Sequence, residues 1–168
     1  MSEELNASEQ VSVPDDVADE ECVARVVFDP LYLQDGKLGR SAFGLRNTER
    51  VPNEQYISVN RMSYWDADAE ACNVPKPKDN TICGYAKMIV RDIRGISQAI
   101  NEQNLELDVK PVKRTPESPH AGVFTLLDSK AVTGAITQHV SSVWMYVQNS
   151  LLNISEFVKF LEEDTQVS

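Results

Sequence analysis

From Cys22 onward the first part of the chain is a succession of short apolar runs separated by proline, glycine or polar clusters, and these read as short strands joined by turns. Cys22 to Phe28 is rich in β-branched residues and halts at Asp29-Pro30, so it reads as a first strand. Gly36, Gly39 and Gly44 then mark an irregular loop anchored by Phe43 and Leu45. Tyr56 to Arg61 alternates with period two, setting Tyr56, Ser58 and Asn60 on one face and Ile57, Val59 and Arg61 on the other. Asp66 to Cys72 favours a short helix, and Pro75 to Asn80 is a surface connection.

Thr81 to Val90 has the apolar density of a buried strand, although its length would also allow a helix. Ile93, Ile96 and Ile100 recur at helical intervals and predict a helix over Asp92 to Asn101, with Gly95 as its weak point. Leu105 to Val112 alternates as a strand, and Pro111 places it at a sheet edge. Ala121 to Leu127 pairs with it as a hairpin across the polar loop from Lys113 to His120. Over 129–151, Val132, Ile136, Val140, Val143, Trp144, Val147 and Leu151 form one apolar stripe, the strongest helical signal in the chain, with Asp128 or Ser129 as its N-cap. A second short helix over 155–163 would bury Phe157, Phe160 and Leu161.

Strands first and helices last predict an α+β fold: a mostly antiparallel sheet of about four or five short strands with C-terminal helices packed on one face. Eight of the acidic side chains fall within residues 1–21, which contain no Lys or Arg, so most of the net charge of −10 belongs to that segment. Its composition predicts a disordered acidic tail ahead of a single domain over 22–168. The body is then nearly neutral and has no basic stripe, which argues against a nucleic-acid partner. Without a leader or a long apolar stretch, the expectation is a cytoplasmic protein with no membrane partner. Three cysteines at no metal spacing predict reduced, buried thiols, and no metal site or cofactor motif is present.

His120 is the first candidate for chemistry, because it closes a proline-bounded loop at the start of a strand and titrates near neutral pH. Lys113 and Arg114, with Lys110 nearby, offer a local anion site. Ser58 and Arg61 form a second candidate, since an arginine at a strand end beside Tyr64 and Trp65 can grip a phosphate or carboxylate. The same residues would equally serve as turn, sheet-cap and solvated-face groups. His139 lies beside the helical stripe and reads as a packing residue.

The succession Arg25 to Phe28, Gly39 to Phe43, Ile57-Ser-Val-Asn-Arg61 and Ser118-Pro-His-Ala-Gly122 resembles small bacterial proteins with an SV-x-R strand and a later P-x-H-A segment. That group has no established activity, so the resemblance implies a joint site at His120 and Arg61 without a reaction. Two functions follow as expectations. One is a non-enzymatic accessory protein that binds another protein, of the immunity or antitoxin kind. The other is a small enzyme or ligand-binding domain for a phosphate-bearing or nucleotide-like molecule, with His120 in acid/base work.

Overall fold

A computed structural model describes residues 12–100, 102–134 and 141–161. Its strands are β1 (Cys22–Asp29), β2 (Leu33–Gln34), β3 (Lys37–Leu38), β4 (Ile57–Arg61), β5 (Thr81–Ile89), β6 (Ser97–Ile100), β7 (Gln103–Pro111), β8 (His120–Leu127), β9 (Lys130–Ala131) and β10 (Glu156–Lys159). The helices are α1 (Ala67–Glu70), α2 (Val90–Arg94) and α3 (Ser141–Ile154). One eight-stranded antiparallel sheet runs in the order β10-β5-β1-β4-β8-β7-β6, with β9 paired to β8, and β2 and β3 form a separate small hairpin.

The sheet is α+β and antiparallel, and it is larger than the sequence suggests because two segments with helical spacing are strands. Gly95 ends α2 after a single turn, and Ser97–Ile100 pairs with β7 through a tight turn at Glu102, whose φ is 67°. The segment after Ser155 is not a helix but β10, which seats on β5. Adjacent apolar residues there serve opposite faces: Phe157 packs on the main core and Val158 on a second cluster. Gly84 permits the approach, since a Cβ at that position would stand 2.2 Å from the Val158 carbonyl oxygen.

Asp128 and Ser129 are not helix caps. With φ of 49° and 66° they form the turn between β8 and β9. α3 is described from Ser141, and Ile136, His139 and Val140 lie outside the described residues. Pro111 does not make β7 an edge strand along its length. β6 covers only Gln103 to Glu106, so the Pro111 end has β8 as its one partner in the sheet.

One face of the sheet carries the core, where Val23, Val27, Ile57, Val59, Leu107 and Val123 pack against Ile93 of α2 and Val143, Val147 and Leu151 of α3. Burying side chains of this size stabilises the fold by about 1.5–3 kcal/mol each. On the other face a smaller cluster of Ala24, Ala67 and Tyr85 covers the β5 and β10 end. The middle of that face, around Ser58, Asn60 and His120, is left as the wall of a cavity. Of the cysteines, Cys72 is exposed, and Cys22 and Cys83 are only partly buried. Among the described residues no helix is long and apolar enough to cross a membrane.

Residues 12–21, expected to lie outside the fold, are part of it. Val13 and Val17 are buried at 3% and 6% exposure, and the Val13 amide donates to the Pro116 carbonyl. Four of the eight acidic side chains that suggested a free tail pair with body cations instead: Asp15 with Lys113, Asp19 with Arg94, Glu20 with Arg91 and Glu21 with Arg61, while Glu3, Glu4 and Glu9 lie outside the described residues. Composition scored the segment by its own few apolar residues. It is held by charges supplied from the body.

Candidate functional site

Strands β1 and β4 are in register only at Val23 with Arg61 and Ala24 with Asn60, and beyond that they part. Arg25 fills the opening. Its Nε donates to the Ala42 carbonyl, Nη1 to the Ser58 carbonyl at 2.9 Å and Nη2 to the Tyr32 hydroxyl at 2.9 Å. The cavity sits at this split and has a volume of about 520 Å³, within the range of ligand pockets, about 300–1,000 Å³. Because it opens between strands, residues of both sheet faces line it. Ala24, Arg25, Ser58, Val59 and His120 form the inner part, and Leu31, Arg46, Arg50, Val51 and Val74 to Pro77 form the rim.

His120 and Ser58 meet inside it. β4 and β8 align Asn60 with His120 and Ser58 with Gly122, so the serine lies diagonally across from the histidine on the same face. His120 Nδ1 is 3.2 Å from the Val112 carbonyl oxygen, which can only accept, so Nδ1 carries the proton of the neutral ring. Nε2 is then free to accept from the Ser58 hydroxyl at 3.2 Å. Burial, assisted by the nearby Arg114 charge, pushes His120 below its ordinary value of 6.5, against the opposing effect of the Val112 hydrogen bond. The ring is neutral at neutral pH. The Tyr56 ring packs against His120 with centroids 6.0 Å apart and lies over Gly122, where a Cβ would come within 2.6 Å of it.

An NMR titration of the His120 ring should therefore show a midpoint below 6.5. Between 6.5 and that midpoint the unfolded chain takes up a proton that the folded chain does not, so this group lowers stability as the pH falls through the window. A midpoint at or above 6.5 would contradict the buried, Val112-bonded ring.

The other sequence candidates go elsewhere. Arg61 does not join His120: it is the largest fully buried side chain, and its guanidinium points into the 12–21 segment. Nε and Nη2 hold both Glu21 oxygens at 2.8 Å, Nη1 donates to the Pro14 carbonyl at 2.5 Å and Nη2 to that of Asp16 at 2.9 Å. Four of its five donors are taken by that segment, and the alternation of β4 already put Arg61 and Ser58 on opposite faces. Lys113 is likewise engaged, by the Val13 carbonyl and Asp15. Arg114 is exposed and reaches the site only through its charge on His120.

Sequence reasoning missed Arg25. It is 7% exposed, and among the described residues no carboxylate pairs with it. Arg25, Arg46, Arg50 and Lys76 all line the cavity, and among the described residues no Asp or Glu does. Arg46 is paired with Glu54 at 2.7 Å. The signal was present, since Arg25 is a charge placed between Ala24 and Val26 in an otherwise apolar strand.

No protein family, curated protein or solved structure matches the chain. The functional reading therefore stands on the cavity itself.

Proposed function

We propose that the protein binds a small phosphate-bearing molecule, nucleotide-like in size, in the cavity between β1 and β4. Arg25 carries this reading. An ionised group buried without an opposite charge is strongly unfavourable, and the usual remedy is a counter-charge. Arg61, the other buried arginine, has Glu21 for that purpose. Among the described residues Arg25 has only neutral acceptors, so the missing negative charge is assigned to the ligand. A guanidinium suits phosphate oxygens in a fixed planar geometry. The apolar rim of Phe28, Leu31, Val74, Pro75 and Pro77 suits a flat organic remainder.

Calorimetric titration with AMP and with inorganic phosphate tests the reading. Both are expected to bind at one site, AMP more tightly, with affinity falling as salt is raised. Arg50→Ala and Lys76→Ala, which remove exposed rim charges, should each weaken binding by about two- to five-fold. Absence of binding by both probes, or binding indifferent to both substitutions, would refute it.

A protein partner is the second reading. The outer edge of β6 supports it, because Ser97, Gln98 and Ala99 are exposed and carry neither charge nor proline to block an added strand. A peptide that protects the β6 amides from hydrogen exchange would favour that reading, and an unprotected edge in the native complex would remove its support.

A further inference from the structure

We propose that Ser58 is a nucleophile and His120 its general base, so that this cavity transfers a phosphoryl group from a phosphate ester to Ser58 and then to water. The inference rests on the phosphate-binding reading and adds a reaction to it. A serine and a base within hydrogen-bond reach, with the base oriented by a third group, is the arrangement that activates a hydroxyl. Here Ser58 Oγ lies 3.2 Å from His120 Nε2, and the Val112 carbonyl holds Nδ1 in the orienting role a carboxylate often takes. Both side chains stand on neighbouring internal strands, so the sheet fixes their separation. Arg25 Nη1 is bonded to the backbone carbonyl of Ser58, so the uncompensated cation is held at the strand of the attacking residue and lines the same cavity.

In the first step the Ser58 oxygen attacks phosphorus while its proton passes to Nε2. The new O–P bond forms as the ester O–P bond breaks in line with it, and the departing alcohol oxygen takes a proton from solvent. In the second step water attacks the phosphoserine from the side the alcohol left and gives its proton to solvent. The Ser58 oxygen leaves, recovers its proton from the imidazolium, and inorganic phosphate is released. No redox change occurs. The cavity cations stabilise the charge on the phosphoryl oxygens throughout. That preference for cationic stabilisation distinguishes the site from one built for carboxylic esters.

The test incubates the full chain with p-nitrophenyl phosphate, following nitrophenol release and mapping any phosphoryl adduct by mass spectrometry, with inorganic phosphate binding measured in parallel. Release and an adduct on Ser58 are expected, and mapping on the unsubstituted protein does not depend on a variant folding. His120→Gln should slow release by about 100- to 10,000-fold, and Ser58→Ala should abolish the adduct. The rate should decline as the pH falls through the His120 midpoint, because a protonated ring cannot accept the serine proton. Phosphate binding with neither release nor adduct overturns the transfer and leaves the binding reading in place. Loss of binding as well overturns both. Cleavage of p-nitrophenyl acetate but not of the phosphate overturns the phosphoryl assignment, and full turnover by Ser58→Ala overturns the role of Ser58.

Discussion

Glu21→Ala should destabilise the protein by about 3–5 kcal/mol, the loss expected when one member of a buried ion pair is removed and the other stays in place. The arginine it would abandon has a side chain 0% exposed and would keep only the neutral Pro14 and Asp16 carbonyls as partners. The neighbouring Glu20 makes an internal control. Its pair with Arg91 is exposed on both sides, and Glu20→Ala should change stability by less than about 1 kcal/mol despite the identical loss of charge. Urea unfolding of the two variants measures the difference, and equal midpoints would show that the Arg61 pair holds nothing. A pH dependence follows from the same contact. Burial acts to raise the Glu21 carboxyl, but the Arg61 hydrogen bonds, the Ala18 amide and the Arg61 and Arg94 charges outweigh it and hold the group below 4.5. Its contribution is therefore complete above 4.5 and is lost as the pH falls through the lowered folded value, a loss that Glu21→Ala should no longer show.

Arg25→Met is expected to separate binding from stability in the opposite sense to Arg61→Met. Replacing Arg25 removes the cavity's buried cation, and affinity for a phosphomonoester should fall by about 10- to 100-fold, matching the worth of charge-assisted hydrogen bonds. The fold loses three donors to neutral acceptors but also sheds an unpaired buried charge, two effects of opposite sign. Arg61→Met leaves Glu21 partly buried without its cation, so it should lower the unfolding midpoint while ligand affinity is unchanged in the folded protein. Calorimetry and denaturant unfolding on both variants give the comparison. If Arg25→Met binds as tightly as the parent, the site does not use Arg25 and the phosphate reading fails.

These two arginines also show how far the sequence was readable. The alternation of Tyr56 to Arg61 located β4 and assigned its faces, because a half-buried strand prints its burial pattern at period two. Applied strictly, that pattern separates Ser58 from Arg61. Grouping them as one site followed their proximity along the chain and ignored the pleat. His120 was legible as the end of a proline-bounded loop, and the register of β4 with β8 supplied the partner that sequence alone could not name. Arg25 was passed over because strand recognition rewards the apolar majority of Cys22 to Phe28 and treats one charge as tolerated noise. The 12–21 segment escaped for a different physical reason: its stabilising partners lie far away in the chain, at Arg61, Arg91, Arg94 and Lys113. β10 misled because Phe157, Phe160 and Leu161 fit a helical stripe, and the deciding influence was an open strand edge elsewhere.

That edge has a consequence for the order in which the molecule is completed. During synthesis β5 emerges and can pair with β1 long before Glu156–Lys159 exists, since chains fold from the N-terminus as they are made. Until β10 arrives, the side of β5 that carries Gly84 presents unpaired backbone with no bulky side chain to shield it. A ribosome-stalled chain ending shortly after α3 should therefore associate with its neighbours through β5. Addition of the last strand moves that edge of the sheet from the nine-residue β5 to the four-residue β10, whose exposed Glu156 and Lys159 set charges there, so the segment from Glu156 shields β5 as well as forming a wall of the second core.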